Sequence, residues 1–256
     1  MGFSIKGGFA RLIGHIFYDK AYLKGRHFSG SYSNGWRNVM RYFFIQKIIG
    51  INRGVPFPVD FRMQVANWKN IIFDPDEMNV FFKIGNYYQA MDAKIYIGKG
   101  VQIANGVAIV SSNHDLMDIS VHTEGKDVVI GDECWIASNA VILPGVHLGK
   151  HTIVAAGAVV SKSFPEGWCV VGGIPAKVIK KLDPPEGELK DQPETDQSEI
   201  KQPEKDQLNI DQPETDQPAA DHSETDQPAA GQPEIKQPEK DQPETDQPET
   251  DQPAAE

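Results

Sequence analysis

IGDECWIASNAVILPGVHLGKHTIVAAGAVVSKSFP, residues 130–165, carries the pattern that decides the fold. Aliphatic side chains stand at Ile130, Ile136, Ile142, Leu148, Val154 and Val160, every sixth position. A small residue often follows the aliphatic one (Gly131, Ala137, Gly149, Ala155, Ser161). A small or branched residue stands four places after all but the last of the aliphatic residues (Cys134, Ala140, Val146, Thr152, Ala158). A helix would repeat its apolar face about every 3.6 residues and a half-buried strand about every 2, so neither explains the spacing. A stack of very short strands does, with one inward anchor per strand and a turn between strands. Three hexads then close one triangular coil, and residues 18 apart in sequence lie above one another. The reading is an all-β solenoid, a parallel β-helix.

Upstream, Ile97, Ile103 and Ile109 keep the same step, but Ile109 to Ile130 is 21 residues, which is not a multiple of six. The excess lies in the polar stretch SSNHDLMDISVHTEGKDVV, which has to leave the wall as a loop over 111–128. Long loops in compact folds are usually functional or disordered. The apolar stretch 55–93 reads as irregular earlier coils, giving a solenoid domain over 56–182. Residues 1–55 differ: nine Lys or Arg stand against one acid, Asp19, with aromatics between the charges, as in GWRNVMRYFFIQKIIGINR. They read as a small helical region, either a cap over the open apolar end of the first coil or a peripheral membrane contact.

Beyond Leu182 the composition changes. Residues 183–256 contain no Phe, Trp, Tyr, Val, Met or Cys, hold 12 of the 18 prolines and repeat a pentapeptide, DQPET at 211–215, 241–245 and 246–250. Proline every five residues stops helices and removes ladder donors, and little apolar surface is available to offset the entropy of ordering. The tail is expected to be disordered and extended. The overall charge of −11 hides a division: residues 1–182 carry +7 and residues 183–256 carry −18. A basic folded part suits an anionic ligand, an acidic glycan or a membrane surface; no nucleic-acid partner is expected. Cys134 and Cys169 cannot form a disulfide framework, which fits a reducing compartment. There is no apolar run of about 18 residues and no convincing secretory signal, so the expected location is cytoplasmic or at the inner face of the cell membrane.

NHDLMD at 113–118, CWIASNAVILPGVHLGKHTIVAAGAVVSKSFP at 134–165 and VVGGIPAKVIKKL at 170–182 resemble the hexapeptide-repeat O-acetyltransferases, a group that includes maltose, galactoside, nodulation-factor and capsule-modifying enzymes. The resemblance is strong over 84–182, weaker over the N-terminal region, where it is to capsular polysaccharide acetyltransferases, and absent from the tail. It implies a left-handed β-helix, a homotrimer with active sites between subunits, acetyl-CoA as donor and a saccharide hydroxyl as acceptor.

Transfer to a hydroxyl needs a general base, because a free alcohol is barely nucleophilic at neutral pH and an imidazole is tuned to take its proton. Among seven histidines, His114 alone begins the interrupting loop, and the resemblance places the catalytic histidine there. Asp115, Asp118 or a backbone carbonyl would orient its ring. The resemblance places Asn86 near the reacting centre, where an oxyanion calls for preorganised donors; a turn role competes. It places Trp135 in the acceptor or pantetheine groove, against ordinary packing. Ser138 and Ala156, 18 apart, match positions that contact pantetheine, Ser161 and Lys162 match a following Thr-Lys pair, and Lys177 and Lys180 match basic positions near the nucleotide phosphates. A lysine on a solvated face is the competing reading. No metal is expected: His147 and His151 should point different ways, and His114 and His122 share a loop without a third ligand of suitable spacing. N-acetylation of an amino sugar and a non-catalytic scaffold with a binding tail are the alternative functions.

Overall fold

A computed structural model describes residues 5–185; the pentapeptide tail from 186 onward, and with it the expectation of disorder, lies outside the described residues. The chain opens with helix α1 (Ile5–Phe17), a 3-10 turn at Lys20–Tyr22 and helix α2 (Asn34–Phe43), which runs on as a π-type stretch over Phe44–Ile49. Two short strands follow, β1 (Gln64–Ala66) and β2 (Ile71–Phe73), and then a 3-10 segment, Pro75–Phe81, in place of a third.

From there the strands come in threes. β3 (Tyr87–Gln89), β4 (Ile95–Ile97) and β5 (Gln102–Ile103) are followed by β6 (Ala108–Val110), β7 (Val128–Ile130) and β8 (Trp135–Ile136). Next come β9 (Val141–Ile142), β10 (His147–Leu148) and β11 (Thr152–Val154), then β12 (Val159–Val160), β13 (Cys169–Gly173) and β14 (Ala176–Lys181). Successive strands do not pair, apart from β13 with β14. Each joins the strand one coil away, forming three sheets of order β1-β3-β6-β9-β12, β2-β4-β7-β10 and β5-β8-β11-β13-β14. All these pairings are parallel except β13 with β14. The three sheets are visited in rotation and are here called the first, second and third walls. Phe164, bridged to Leu148, continues the second wall past β10.

The sixfold anchors do what their spacing requires. Ile103, Ile109, Ile136, Ile142, Leu148, Val154 and Val160 have no exposed surface, and Ile97 and Ile130 almost none. The register Val141↔Val159 and Ile153↔Trp135 is the 18-residue repeat seen as hydrogen-bonded neighbours. Corners between walls need backbone in the left-handed region. Gly106, Asn139 and Gly157 supply it at one edge, and a Cβ at Gly106 would collide with the Asn139 side chain.

The helical region joins the stack through buried aromatic rings. Phe57 packs on Phe81 and Phe73 with ring centroids 4.7 and 5.2 Å apart, and Phe81 reaches Tyr88 of the first wall at 5.8 Å. Buried Gln46 accepts from the Tyr18 hydroxyl (3.0 Å) and the Val59 amide (3.2 Å) and donates to the Phe57 carbonyl (2.9 Å). Asp60, also buried, accepts from the Tyr42 hydroxyl (3.1 Å) and from Arg62 through Nε (2.9 Å) and Nη2 (2.7 Å).

Candidate active site

The loop over 111–128 leaves the first wall after β6 and returns at β7, at the edge between the first and second walls. Its departure is held by Gln89, one coil earlier on β3. Gln89 Oε1 accepts from the amides of Ser111 (3.1 Å) and Ser112 (3.3 Å), and Nε2 donates to Ser112 Oγ (3.0 Å). Its return is closed where the Lys126 amide donates to the Ser111 carbonyl at 2.7 Å. Gly125 lies so close to the Asp92 backbone that a Cβ there would stand 2.7 Å from the Asp92 carbonyl carbon.

Between these ends the loop pairs with itself. The Thr123 amide donates to the Asn113 carbonyl and the Asp115 amide to the Val121 carbonyl, both at 2.8 Å. His114 and His122 are therefore opposite residues of an antiparallel pair without hydrogen bonds between them. That is the arrangement in which facing side chains come closest. Their rings meet edge to face, centroids 4.4 Å apart. His114 Nδ1 lies 2.7 Å from the Ile119 carbonyl. A carbonyl only accepts, so Nδ1 carries the proton and the lone pair of the neutral ring is on Nε2.

Of the three candidates for orienting His114, the backbone carbonyl does so. The Asp115 carboxylate is turned to the amides of Met117 (2.8 Å) and Asp118 (3.0 Å), which hold it below the usual carboxylate range. Asp118 accepts from the Ser120 hydroxyl (2.6 Å) and amide (3.0 Å) and is lowered in the same way. Asp92 is instead the acid near the histidine pair, with Oδ2 3.7 Å from His122 Nδ1.

Asn86 stands elsewhere than expected. It is 1% exposed; its Nδ2 donates to the Tyr88 hydroxyl and the Ala104 carbonyl, both at 3.1 Å, and its Oδ1 accepts from the Val107 amide. Both N–H groups serve the coil interior, so none is left for a reacting centre; the amide satisfies backbone that leaves the third wall.

The other expected residues lie on or beside the third wall. The register aligns Gln102, Trp135, Ile153, Val170 and Lys180 in one outward row. Trp135 is 52% exposed, so its indole is not a core residue. Lys177 is three residues from Lys180 and should face the opposite way in a regular strand. A register shift in the β13–β14 pairing sets Lys177 against Gly172 and Lys180 against Val170, two residues apart, so both lysines share the outer face. Ser138 and Ala156 are stacked at the next edge, where the Gly157 amide donates to the Ser138 carbonyl (2.9 Å), and both are exposed. Exposed Ser161 and Lys162 follow β12 at the same edge as the His114 loop, two coils further on.

The structure thus brings together Trp135, Lys177 and Lys180 on one wall and Ser138 with Ala156 at its margin. Within one chain it does not bring them to His114, which is exposed at a different edge. The loop tip shows solvent Leu116 and Met117 (95% each) and Ile119 (78%). A cavity of about 280 Å³ beside the loop is lined by Asn113, Thr123, Glu124, Lys126 and Pro144. Cys134 is buried, donates to the Gly149 carbonyl, and burial pushes its thiol up to about 11, which removes it as a nucleophile. Among the described residues no three or more His, Cys, Asp or Glu converge on a point that would hold a metal ion. Sequence reasoning missed Gln89, offered a backbone carbonyl for His114 without naming Ile119, and weighed His122 only as a ligand. The 21-residue step gave the loop's place, but nothing in it names the pairing.

Residues 127–162 match the family model described as bacterial transferase hexapeptide (six repeats). A protein of Escherichia coli (strain K12) named as a lipopolysaccharide biosynthesis O-acetyl transferase, WbbJ, is 33% identical over 154 residues, 55% of this chain and 76% of the relative. A Saccharomyces cerevisiae protein named as an acetyltransferase is 40% identical over 94 residues, 35% of this chain and 47% of its own length. The 2,3,4,5-tetrahydropyridine-2,6-dicarboxylate N-acetyltransferase of Staphylococcus aureus (strain JH9) is 42% identical over 84 residues, 33% of this chain and 32% of the enzyme. The chain thus spans three quarters of the bacterial O-acetyl transferase but about half or less of the other two relatives.

Proposed function

Because the chain belongs to the hexapeptide-repeat acetyltransferases, we propose that it moves an acetyl group from acetyl-CoA to a saccharide hydroxyl, with His114 as the general base. The observation that carries the reading is the His114–Ile119 hydrogen bond, which leaves Nε2 free to accept a proton. In this scheme Nε2 takes the hydroxyl proton as the oxygen attacks the thioester carbon. The imidazolium then returns that proton to the departing sulfur. With Cys134 buried and its thiol raised, direct transfer needs no acyl-enzyme.

The assembly we propose is a trimer of left-handed β-helices, each active site formed between two copies. Acetyl-CoA would lie along the outer face of the third wall, where the small, part-exposed Ala137 and Ala155 leave the backbone approachable beside Trp135. Ser138 and Ala156 would flank the pantetheine arm, and Lys177 and Lys180 would meet the phosphates as point charges. Ser161 and Lys162, at the His114 edge, would reach the same donor from the neighbouring copy. The cavity beside Asn113 offers the side chains of Asn113, Thr123, Glu124 and Lys126 to acceptor hydroxyls. A surface or capsular polysaccharide is the acceptor class we favour. The basic charge of residues 1–182 supports it, as does the name of the Escherichia coli relative. Use of acetyl-CoA as donor would fit a reaction on the cytoplasmic side. The match to the Staphylococcus aureus N-acetyltransferase favours, as a second reading, transfer to a nitrogen in place of a hydroxyl.

The test is a screen of saccharides with labelled acetyl-CoA, comparing wild type with His114→Ala. Loss of a general base should lower kcat about 10²- to 10⁴-fold, with the melting temperature unchanged because the side chain is exposed. Hydroxylamine should release the label from an ester and not from an amide. A fully active His114→Ala, or label that resists hydroxylamine, would count against the base or against the hydroxyl respectively.

A further inference from the structure

Helix α1 is apolar on two opposite faces. Inward it presents Gly7, Ala10 and Gly14, small enough for close packing; a Cβ on Gly14 would stand 2.8 Å from the Trp36 ring. Outward it presents Ile5 (87% exposed), Phe9 (52%), Leu12 (57%) and Ile16 (62%). Spacings of four, three and four residues set these side chains in one stripe. A buried helix is apolar all round, and a surface helix normally turns polar residues to water; this one shows its large residues to solvent. The π-type stretch repeats the pattern, with Phe44, Ile48 and Ile49 about half exposed. The Phe17 and Phe43 rings, 6.2 Å apart, join the two segments.

We propose that this face docks on a lipid bilayer carrying anionic headgroups, with α1 lying in the interfacial plane. Charge selects this occupant. The first 59 residues hold nine Lys or Arg and one acid, Asp19, whose carboxylate is occupied by the Ala21 amide at 2.8 Å. Lys6 and Lys20 bracket the stripe, and Arg37 and Arg41 precede Phe44 on the outward side of α2; all four are exposed. Cations beside an exposed apolar stripe are what an anionic membrane surface attracts. A second copy would bring the same cations against themselves. The acidic tail could answer the charge, but residues 183–256 hold only five large apolar residues, Leu189, Ile200, Leu208, Ile210 and Ile235, spread among prolines and charges, too sparse to cover the apolar stripe. At 13 residues α1 is about 20 Å long, short of the roughly 30 Å hydrocarbon core, so it lies in the surface and does not span.

The experiment is flotation of the full chain with vesicles of phosphatidylcholine alone or with one quarter phosphatidylglycerol. Wild type should bind the anionic vesicles at least about tenfold better than the neutral ones. Phe9→Ser, Leu12→Ser and Ile16→Ser combined should lower that binding at least about tenfold. Should that variant fail to fold, Lys6→Glu with Lys20→Glu tests the same surface through charge, with a loss of about tenfold expected. Absent binding by wild type, equal binding by a folded variant, or a change in particle mass of a variant without vesicles would overturn the proposal, the last by making the face an interface between copies.

Discussion

Replacing Gln89 by Met tests whether the active loop is positioned from the coil beneath it. The side chain keeps its length and loses both hydrogen-bonding atoms. Three bonds disappear: from the Ser111 amide at 3.1 Å, from the Ser112 amide at 3.3 Å and to Ser112 Oγ at 3.0 Å. The Ser111 amide keeps a second acceptor, the Gln89 carbonyl at 2.9 Å, so its loss is small. Ser112 is 6% exposed, and water does not easily replace what it loses. An unsatisfied buried group costs about 1–3 kcal/mol, so the root of the loop is loosened by about that amount. The third wall is untouched. In the proposed reaction kcat should therefore fall by about tenfold or more through misplacement of His114, while KM for acetyl-CoA stays within about twofold of wild type. Steady-state kinetics with each substrate varied, together with a thermal melt, measures both. A kcat equal to wild type in a folded variant, or a rise in KM for acetyl-CoA larger than the fall in kcat, would refute the positioning role.

Lys177→Ala with Lys180→Ala should raise KM for acetyl-CoA about tenfold or more, with less effect on the saccharide, and added salt should shrink the difference; equal effects on both substrates would remove the phosphate assignment. Burial alone would raise the Asp60 carboxyl, but hydrogen bonds from the Arg62 side chain and amide and from Tyr42 outweigh it and hold the group below the usual carboxylate range. A lowered folded-state value stabilises above the unfolded value of about 3.9, and that contribution is lost as pH falls through the folded value. Denaturant unfolding should therefore show wild type more stable than Asp60→Asn at pH 7, with the gap narrowing below about pH 4; a gap independent of pH would contradict this. Mixing inactive His114→Ala with Ala156→Trp, which blocks the donor groove, should restore about a quarter of wild-type activity after subunit exchange, since one interface in four then combines an intact loop with an intact wall.

The strand stack was legible because one physical requirement, an inward anchor per short strand, writes itself at a fixed interval. Ile136, Ile142 and Leu148 fill the interior that their spacing implied. The 3-10 segment at Pro75–Phe81 was not legible, since its Met78, Val80 and Phe81 bury as strand residues would while Asp74 and Pro75 start a turn. The loop was legible as an interruption and its histidine as a candidate. What holds the ring was not, because Ile119 contributes only its carbonyl, which every residue has. Asn86 was ambiguous for the converse reason: an asparagine near a corner serves a ligand or the backbone, and here its amide is bonded to Tyr88, Ala104 and Val107. Lys177 and Lys180 share a face only through a register shift that their spacing conceals.

The walls bear on how the site could be assembled. A coil with three walls sets the edge between the first and second across from the third, so the His114 loop and the outer row of Trp135 and Lys180 point away from each other in one chain. No rotation of His114 about its own backbone removes the width of the solenoid between them. If His114 activates an acceptor and the third wall holds the donor, two chains have to meet, with the loop of one over the wall of the next. The loop suits such a meeting: Leu116, Met117 and Ile119 at its tip are largely in water, while backbone amides donating to the Asp115 and Asp118 carboxylates brace it. Apolar side chains on a braced loop suit an interface, where covering them excludes water from the imidazole and strengthens every electrostatic interaction around the reacting carbonyl.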